Sequence, residues 1–202
     1  MRFRIGAPPR LDAWDPAAEG WTRLAEPSGW GFQASALAVG LVLAAASVLL
    51  WAWLTPYTWR EIDFLYVLIG IPLVVPLHEL VHGLGVPRAR GGDVTYFGFS
   101  PRHVGFYVHH TGALPRWRWL AIGALPTVML SMVPLAICAV WRIRSPWLLY
   151  LSISNVLGSC ADWLGIGIGL VRIPHGAVIR QQGTETWWRI QGQKGREVAG
   201  KP

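Results

Sequence analysis

Four long apolar stretches, separated by polar segments, dominate the pattern along the chain. They cover residues 32–54, 64–86, 119–140 and 147–171. Each is long enough to cross a ~30 Å hydrocarbon layer, which needs roughly 20 apolar residues. Tryptophans gather at the ends of these stretches, as is typical of the aromatic belt at a membrane interface. The pattern therefore predicts four transmembrane helices.

The segment between the second and third stretches, residues 88–116, lacks helical periodicity. Its runs 94–99 and 104–108 are rich in β-branched and aromatic residues and flank a short polar turn around Arg102 and His103. This is typical of a β-hairpin. Because both strands are apolar, we expect the hairpin to dip into the membrane. The predicted fold is an all-α polytopic membrane protein with four transmembrane helices and a membrane-dipping β-hairpin between helices 2 and 3.

The distribution of positive charge predicts the orientation. Fifteen of the eighteen Lys and Arg residues lie in the two terminal segments and in the segment 88–118, and three lie in the other two loops. By the positive-inside rule both termini are cytoplasmic. We expect a cytoplasmic extension over residues 1–31, a membrane core over 32–171 that includes the hairpin 88–116, and a cytoplasmic tail over 172–202. The first 31 residues contain no signal peptide, and we expect them and the chain after Arg189 to be poorly ordered.

Composition supports the membrane class and argues against two others. The chain is 52% hydrophobic and 14% charged, whereas a soluble domain is about a quarter charged. The net charge of +7 does not indicate nucleic acid, because the basic residues are spread over the loops, where anionic lipid headgroups explain them. Cys138 and Cys160 form no CxxC pair, so we expect neither a disulfide framework nor a cysteine metal site.

The sequence His78-Glu79-Leu80-Val81-His82 lies inside the second apolar stretch. A helix places residues four apart on one face, so the two imidazoles can converge on a single Zn²⁺. Glu79 is then placed to act as general base on a water molecule activated by the metal. Zn²⁺ is preferred over Fe²⁺ or Co²⁺ from the ligand type. This position within an apolar stretch indicates metal chemistry inside a membrane.

Asp162 is the candidate for a third ligand, because it is the one other acidic residue within the apolar stretches. It lies ~13 Å from the predicted cytoplasmic end of its helix, and the histidine pair lies ~9 Å from the corresponding end of the second helix. The three groups can therefore meet at similar depth. A carboxylate in mid-membrane costs about 2.5–3.5 kcal/mol on insertion scales, and a divalent cation would compensate that cost.

Asn155 lies two helical turns before Asp162 on the same face. It is a candidate catalytic residue that would bind the substrate backbone or the developing oxyanion, or else it makes a helix–helix hydrogen bond. The other histidines, His103, His109 and His110 in the hairpin region and His175 in the tail, are better explained by structural or surface roles. His109 approaches the site only if the hairpin folds over it.

These motifs resemble the site-2 protease group of intramembrane zinc metalloproteases, and more closely the small bacterial and archaeal membrane proteins described as zincin peptidases of unknown substrate. The resemblance covers roughly residues 30–190. It implies that His78, His82 and Asp162 bind zinc, that Glu79 is the general base, and that the protein sits in a prokaryotic cell membrane. The later motif departs from the larger proteases, since no proline lies between Asn155 and Asp162 and Trp163 follows the aspartate.

The sequence therefore predicts a zinc-dependent intramembrane endopeptidase that acts on membrane-embedded or membrane-adjacent proteins or peptides. A substrate strand added to the hairpin, with close backbone approach at Gly98 and Gly105, would hold the peptide extended. Two alternatives remain: a metal-binding membrane protein without protease activity, such as a sensor or an assembly factor, and an ion or proton carrier. The absence of an inverted repeat disfavours the carrier. The sequence does not determine the oligomeric state or the substrate.

Overall fold

A computed structural model of the chain describes residues 1–27, 29–88, 91–101 and 105–190. Its helices are α1 (Trp30–Leu54), α2 (Phe64–Gly85), α3 (Arg116–Thr127), α4 (Val133–Trp141), α5 (Pro146–Gly158) and α6 (Cys160–Arg172). A π-helical turn, Val128–Met132, joins α3 to α4 without a break. A short 3₁₀ turn, Trp59–Glu61, precedes α2. The described part of the chain is thus mainly helical.

Three helices are long and apolar enough to cross a membrane. They are α1, α2 and the continuous rod Arg116–Trp141, and they match the first three predicted stretches within three residues. Large apolar side chains such as Leu73, Leu84 and Trp147 are exposed on the helices. Because so many large apolar side chains on the helix surfaces would be unfavourable in water, their exposure fits contact with lipid.

The fourth predicted span is not a single straight helix. It is broken between α5 and α6, which meet at 49°, so the helices amount to three candidate spans, or four if the bent pair crosses as one. The break follows from Gly158 and Ser159. Ser159 bonds back to the carbonyl oxygen of Asn155 through its hydroxyl at 2.8 Å, and a Gly/Ser pair with such a bond is a common cause of helix kinks.

Two β-sheets correct the prediction of an all-α fold. The strands are β1 (Arg2–Ile5), β2 (Thr22–Arg23), β3 (Thr95–Ser100), β4 (Gly105–His110), β5 (Leu114–Pro115), β6 (Ala177–Gln182) and β7 (Glu185–Ile190). The three-stranded sheet has the order β1-β3-β4 and the four-stranded sheet the order β2-β7-β6-β5. β3 and β4 pair antiparallel, as the sequence predicted, whereas the predicted turn with Arg102 and His103 lies outside the described residues.

The expectation that the first 31 residues are poorly ordered is wrong. β1 pairs in parallel with β3, and β2 pairs with β7 near the other end of the chain. Trp14, Trp21 and Leu24 are buried against the four-stranded sheet: Leu24 packs in a cluster with Ile179, and the guanidinium groups of Arg180 and Arg189 lie over the Trp14 and Trp21 rings. A two-residue strand carries no local signal, because its stability comes from distant partners. The division of the chain at residues 31 and 171 stays a prediction, and the tail from residue 191 onward lies outside the described part.

Candidate metal centre

The two histidines of the second helix face each other near its C-terminal end. His78 and His82 lie one turn apart on α2, and their Nε2 atoms are 3.1 Å apart. The rings meet edge to face, with centroids 4.7 Å apart and planes at 81°. Both side chains are largely buried. Two nitrogen donors therefore converge on one point, as the spacing of four residues predicted.

Asp162 completes a set of three donors from the opposite side. It lies in the first turn of α6, directly after the break at Ser159. Its Oδ2 atom is 3.0 Å from His78 Nε2, and its Oδ1 atom is 3.4 Å from His82 Nε2. The structure thus brings together the three residues that the sequence singled out as ligands, although 84 positions separate His78 from Asp162.

The outer ring nitrogens of both histidines are held by oxygen acceptors. His78 Nδ1 is 2.9 Å from Asn155 Oδ1, and His82 Nδ1 is 2.8 Å from the carbonyl oxygen of Ile122. Because these oxygens only accept, each Nδ1 carries the proton. Each Nε2 lone pair then points at the shared centre, which is the tautomer that a metal requires.

Pro126 explains why the Ile122 carbonyl is available. In an α-helix the N–H of residue 126 would donate to the carbonyl of residue 122, but proline has no N–H. Pro126 lies inside α3, four residues after Ile122. The orphaned carbonyl is then satisfied by His82. A helix defect that would otherwise destabilise a buried segment thus orients a histidine.

Asn155 is fully enclosed, with 1% of its surface exposed. Its Oδ1 atom accepts from His78, and its Nδ2 atom donates to the Pro126 carbonyl at 3.1 Å and to Ser131 Oγ at 2.9 Å. Ser131 lies in the π-helical turn and is itself fixed by Ser152. With every polar atom engaged by protein, the contacts of Asn155 fit a residue that positions His78 better than one that binds substrate.

The geometry of the three donors fits a zinc ion. Tetrahedral Zn²⁺ with nitrogen or oxygen ligands holds its donor atoms about 3.3 Å apart. The spacings of 3.0, 3.1 and 3.4 Å between His78 Nε2, His82 Nε2 and the Asp162 carboxylate agree with this value. Two imidazoles and a carboxylate also form a typical catalytic set, which keeps a fourth position for water.

Glu79 lies beside this set and faces a cavity of about 320 Å³. Its Oε2 atom accepts a hydrogen bond of 2.9 Å from the backbone N–H of Val108 in β4. Ligand atoms of Glu79, His78 and His82 lie within 4.8 Å of one another. The cavity is also lined by His82 and Asp162, so a molecule in it would contact the carboxylate and the metal position together.

The far wall of the cavity comes from segments that the sequence did not connect with the site. Glu26 follows β2, His110 ends β4, and Arg180 and Thr186 belong to the four-stranded sheet. Burial raises the pKa of Glu26, against the opposing charge of Arg23. No single stretch of sequence signals this wall, because its parts are separated by up to 160 positions in the chain.

The remaining histidines behave differently from the pair on α2. His109 is buried with 2% exposure, and burial next to His110 and Arg4 lowers its pKa to about 4. Burial also lowers the pKa of His110, against the charge of Asp93. His175 is exposed and lies 3.3 Å from a guanidinium nitrogen of Arg116. His103 lies outside the described residues.

Comparison with known proteins assigns the chain to a family. A family model, DUF3267, described as "Putative zincin peptidase", matches residues 71–178, which include the histidine pair, both strands of the β3–β4 pair and Asp162. The chain belongs to this family. Membership indicates a metallopeptidase and implies zinc, in agreement with the cluster of His78, Glu79 and His82 on α2. A search of curated proteins found no match. A search of solved structures found none either.

Proposed function

We propose that the protein is a zinc-dependent endopeptidase that hydrolyses peptide bonds of membrane-embedded or membrane-adjacent substrates. The observation that carries the proposal is the convergence of His78, His82 and Asp162 with zinc-like spacing beside Glu79 and a cavity. Family membership supports the peptidase class, and the three to four apolar helices support a site at membrane depth.

Each residue of the site has a distinct role in the proposed reaction. His78, His82 and Asp162 would hold the ion, which would supply Lewis-acid activation of water and of the scissile carbonyl. Glu79 accepts a proton from the attacking water and passes it to the leaving amine. The Val108 N–H keeps the Glu79 carboxylate turned toward the cavity. Asn155 and Ile122 fix the ring orientations of the two histidines.

The substrate is proposed to lie extended along β4. A helical peptide hides its carbonyls in hydrogen bonds, so it must unwind locally before attack. β4 lies at the edge of the three-stranded sheet, and its Val108 N–H already points to the site. An added strand along this edge would place a peptide bond beside Glu79. Gly98 was expected to allow close approach of the substrate backbone. Instead, the Tyr107 ring lies over Gly98 and occupies the space where a side chain would be.

The location in the cell is part of the proposal. We infer a multi-pass protein of a prokaryotic cell membrane with both termini in the cytoplasm. The distribution of Lys and Arg supports this orientation. The pairing of β2 with β7 is consistent with it, since a shared sheet requires the two terminal segments to lie on the same side.

Glu79→Gln separates the protease from a metal-binding sensor or assembly factor. Gln keeps the shape and the hydrogen bond from Val108 but cannot accept the proton. We expect zinc content equal to that of the wild type and a cleavage rate lower by about 10²–10⁴-fold. The measurement uses purified protein in detergent, single-span test substrates, and zinc analysis of the same preparations.

The matched control for this experiment is Asp12→Asn, which also converts a carboxylate to an amide but at an exposed position. It should cleave at the wild-type rate, and a chelator should abolish cleavage by the wild type. Wild-type cleavage by Glu79→Gln would refute the general-base role. Zinc binding without cleavage of any single-span substrate would favour the sensor.

A further inference from the structure

The three-stranded sheet has one apolar face, and β1 completes it. The register pairs Phe3 with Phe97 and Ile5 with Phe99, and Phe99 in turn with Phe106 of β4. Side chains of paired residues lie on the same face of a sheet. The rings follow one another across the strands, with centroids 6.3 Å apart for Phe3 and Phe97 and 5.0 Å for Phe99 and Phe106.

The opposite face of the same sheet is polar. Alternation along β1 places Arg2 and Arg4 there, beside Tyr96 and Tyr107 of the neighbouring strands. Arg4 Nε donates to the carbonyl oxygen of Ala7 at 3.2 Å, and the Tyr107 hydroxyl donates to the same oxygen at 3.3 Å. Both arginines are exposed. The sheet is therefore amphipathic, with aromatic rings on one side and two guanidinium groups on the other.

The apolar face is uncovered by the described residues at its β1 edge. Phe3 is 65% exposed and Ile5 is 70% exposed, which is unusual for large apolar side chains in a strand that faces water. Within a sheet, alternation of this kind is stable only if the apolar face meets another apolar surface. The described part of the chain supplies no such surface over these two residues.

The sheet is attached to the end of a candidate membrane span. Val108 and Met1 lie over Gly83, in the last turn of α2, where a Cβ would meet both side chains. On the same turns of α2, Leu80 and Leu84 are 45% and 75% exposed. The sheet thus meets α2 through Met1 and Val108 at the end of the candidate span that carries the metal site, next to the exposed side chains Leu80 and Leu84.

We propose that β1 and the β3–β4 pair form a single platform that lies in the membrane interface, with Phe3 and Ile5 among the acyl chains and with Arg2 and Arg4 at anionic lipid headgroups. An apolar and aromatic surface flanked by basic side chains is typical of interfacial membrane binding. Headgroup phosphates complement the two guanidinium groups. This surface is separate from the metal site, and the proposal does not depend on the peptidase assignment.

The occupant follows from the position of the sheet. Acyl chains would cover the exposed side chains of β1 and the exposed Leu80 and Leu84 of α2 as one continuous apolar phase. Anionic headgroups complement the charges of Arg2 and Arg4 on the other face of the sheet. The platform would also hold the edge of β4 at a fixed depth, next to Glu79.

Spin labels on β1 test the proposal directly. Cys138 is fully buried and unreactive, so Cys160→Ala suffices as a background, and it keeps the Cβ that packs on Gly40. Single cysteines replace Phe3, Ile5, Arg2 or Arg4 in the full chain, in nanodiscs of phosphatidylcholine with or without phosphatidylglycerol. Accessibility to oxygen reports acyl chains, and accessibility to a water-soluble nickel complex reports solvent.

We expect labels at Phe3 and Ile5 to be accessible to oxygen and protected from nickel, and labels at Arg2 and Arg4 to show the reverse. Equal nickel accessibility at all four positions would refute insertion. Protection of Phe3 and Ile5 from both reagents would instead identify a protein partner and overturn the proposal.

A second variant tests the headgroup contact separately. Arg2→Gln/Arg4→Gln should reduce the oxygen accessibility of a label at Ile5 in discs that contain phosphatidylglycerol and leave it unchanged in phosphatidylcholine alone. Removal of each charge should lower the ratio of the inserted to the uninserted state of β1 by roughly fivefold. An equal effect in both lipids would exclude recognition of anionic headgroups. Zinc content of each variant, measured in parallel, verifies that the fold is retained.

Discussion

The polar cluster between the helices (His78, His82, Asn155 and Asp162) and the cavity wall formed by the two sheets differ in how completely their polar atoms are paired. In the polar cluster, each histidine has one nitrogen held by a fixed oxygen and the other directed to the shared centre. In the wall, Glu26 lines the cavity, Arg180 is held by a single hydrogen bond from its Nε atom to the Thr111 carbonyl oxygen, and His109 behind it has a buried Nε2 atom without a partner among the described residues.

This difference matches two requirements: the polar cluster must hold a rigid geometry, and the cavity wall must admit a substrate. A buried donor set must be preorganised, because a divalent ion tolerates only small errors in ligand position. Residues that admit a substrate must keep unused hydrogen-bonding capacity until it arrives. The helices thus supply a fixed geometry, and the sheets, which come from distant segments, supply the surface that the substrate meets.

The largest expected effect comes from removing one donor of the polar cluster. His78→Ala should abolish stoichiometric zinc binding and with it all cleavage, because two remaining protein ligands do not form a catalytic zinc site. Metal analysis after gel filtration measures the loss. His175→Ala, at an exposed histidine of the tail, is the matched control and should retain zinc. Full zinc occupancy in His78→Ala would exclude this residue as a ligand.

On the sheet side, His109 should make stability depend on pH. Its pKa is lowered to about 4 in the folded protein, so between about pH 6.5 and 4 the unfolded chain binds the extra proton. Stability is therefore lost as pH falls through this window, by up to about 3 kcal/mol. His109→Phe should flatten that dependence, measured as unfolding in detergent at several pH values.

All other ionisable groups are the same in both proteins, so the difference between wild type and His109→Phe isolates His109. His175→Phe, which introduces the same ring at an exposed position, controls for the substitution itself. An unchanged pH dependence in His109→Phe would show that burial of the His109 ring does not cause the loss of folding stability at low pH.

A smaller effect is expected when the orientation of a ligand is lost but the ligand remains. Asn155→Ala removes the acceptor of His78 Nδ1–H and should weaken zinc binding by about 10–100-fold, since outer partners of metal ligands contribute effects of this size. Competition with a chelator of known affinity gives the value. Ser154→Ala, which removes a hydroxyl of the same helix that bonds to the Val67 carbonyl, controls for helix packing. Equal losses in both variants would assign Asn155 a packing role only.

The smallest effect should come from Pro126→Ala. Alanine restores a backbone N–H that competes with His82 for the Ile122 carbonyl. Because a carbonyl has two lone pairs, the competition is partial, and we expect zinc affinity to fall by roughly threefold, well below the Asn155 effect. The same chelator competition measures it. Tighter zinc binding would show that the free carbonyl is not needed.

Much of the helical framework was predictable because it depends on local sequence. The length of an apolar run sets whether a helix can cross a membrane, and α1, α2 and the rod that begins at Arg116 follow the predicted bounds. The pairing of β3 with β4 was also predictable from two apolar runs close in sequence. The break in the fourth predicted span was missed because it depends on one side-chain bond of Ser159 that the hydropathy pattern does not register.

By itself, the sequence determined that two imidazoles and a glutamate lie on one helical turn within an apolar segment, since a spacing of four residues has the same meaning in every α-helix. It also identified Asp162 as a candidate third ligand, because its predicted depth in the membrane is similar to that of the histidine pair. Only the tertiary structure decided which atoms hold the histidine rings, that the first strand joins the β3–β4 pair, and that the terminal segments wall the cavity. These contacts join positions 40 to 166 residues apart, as with His82 and Ile122 or Thr22 and Trp188. Their energies depend on chain folding over long distances, which no local pattern encodes.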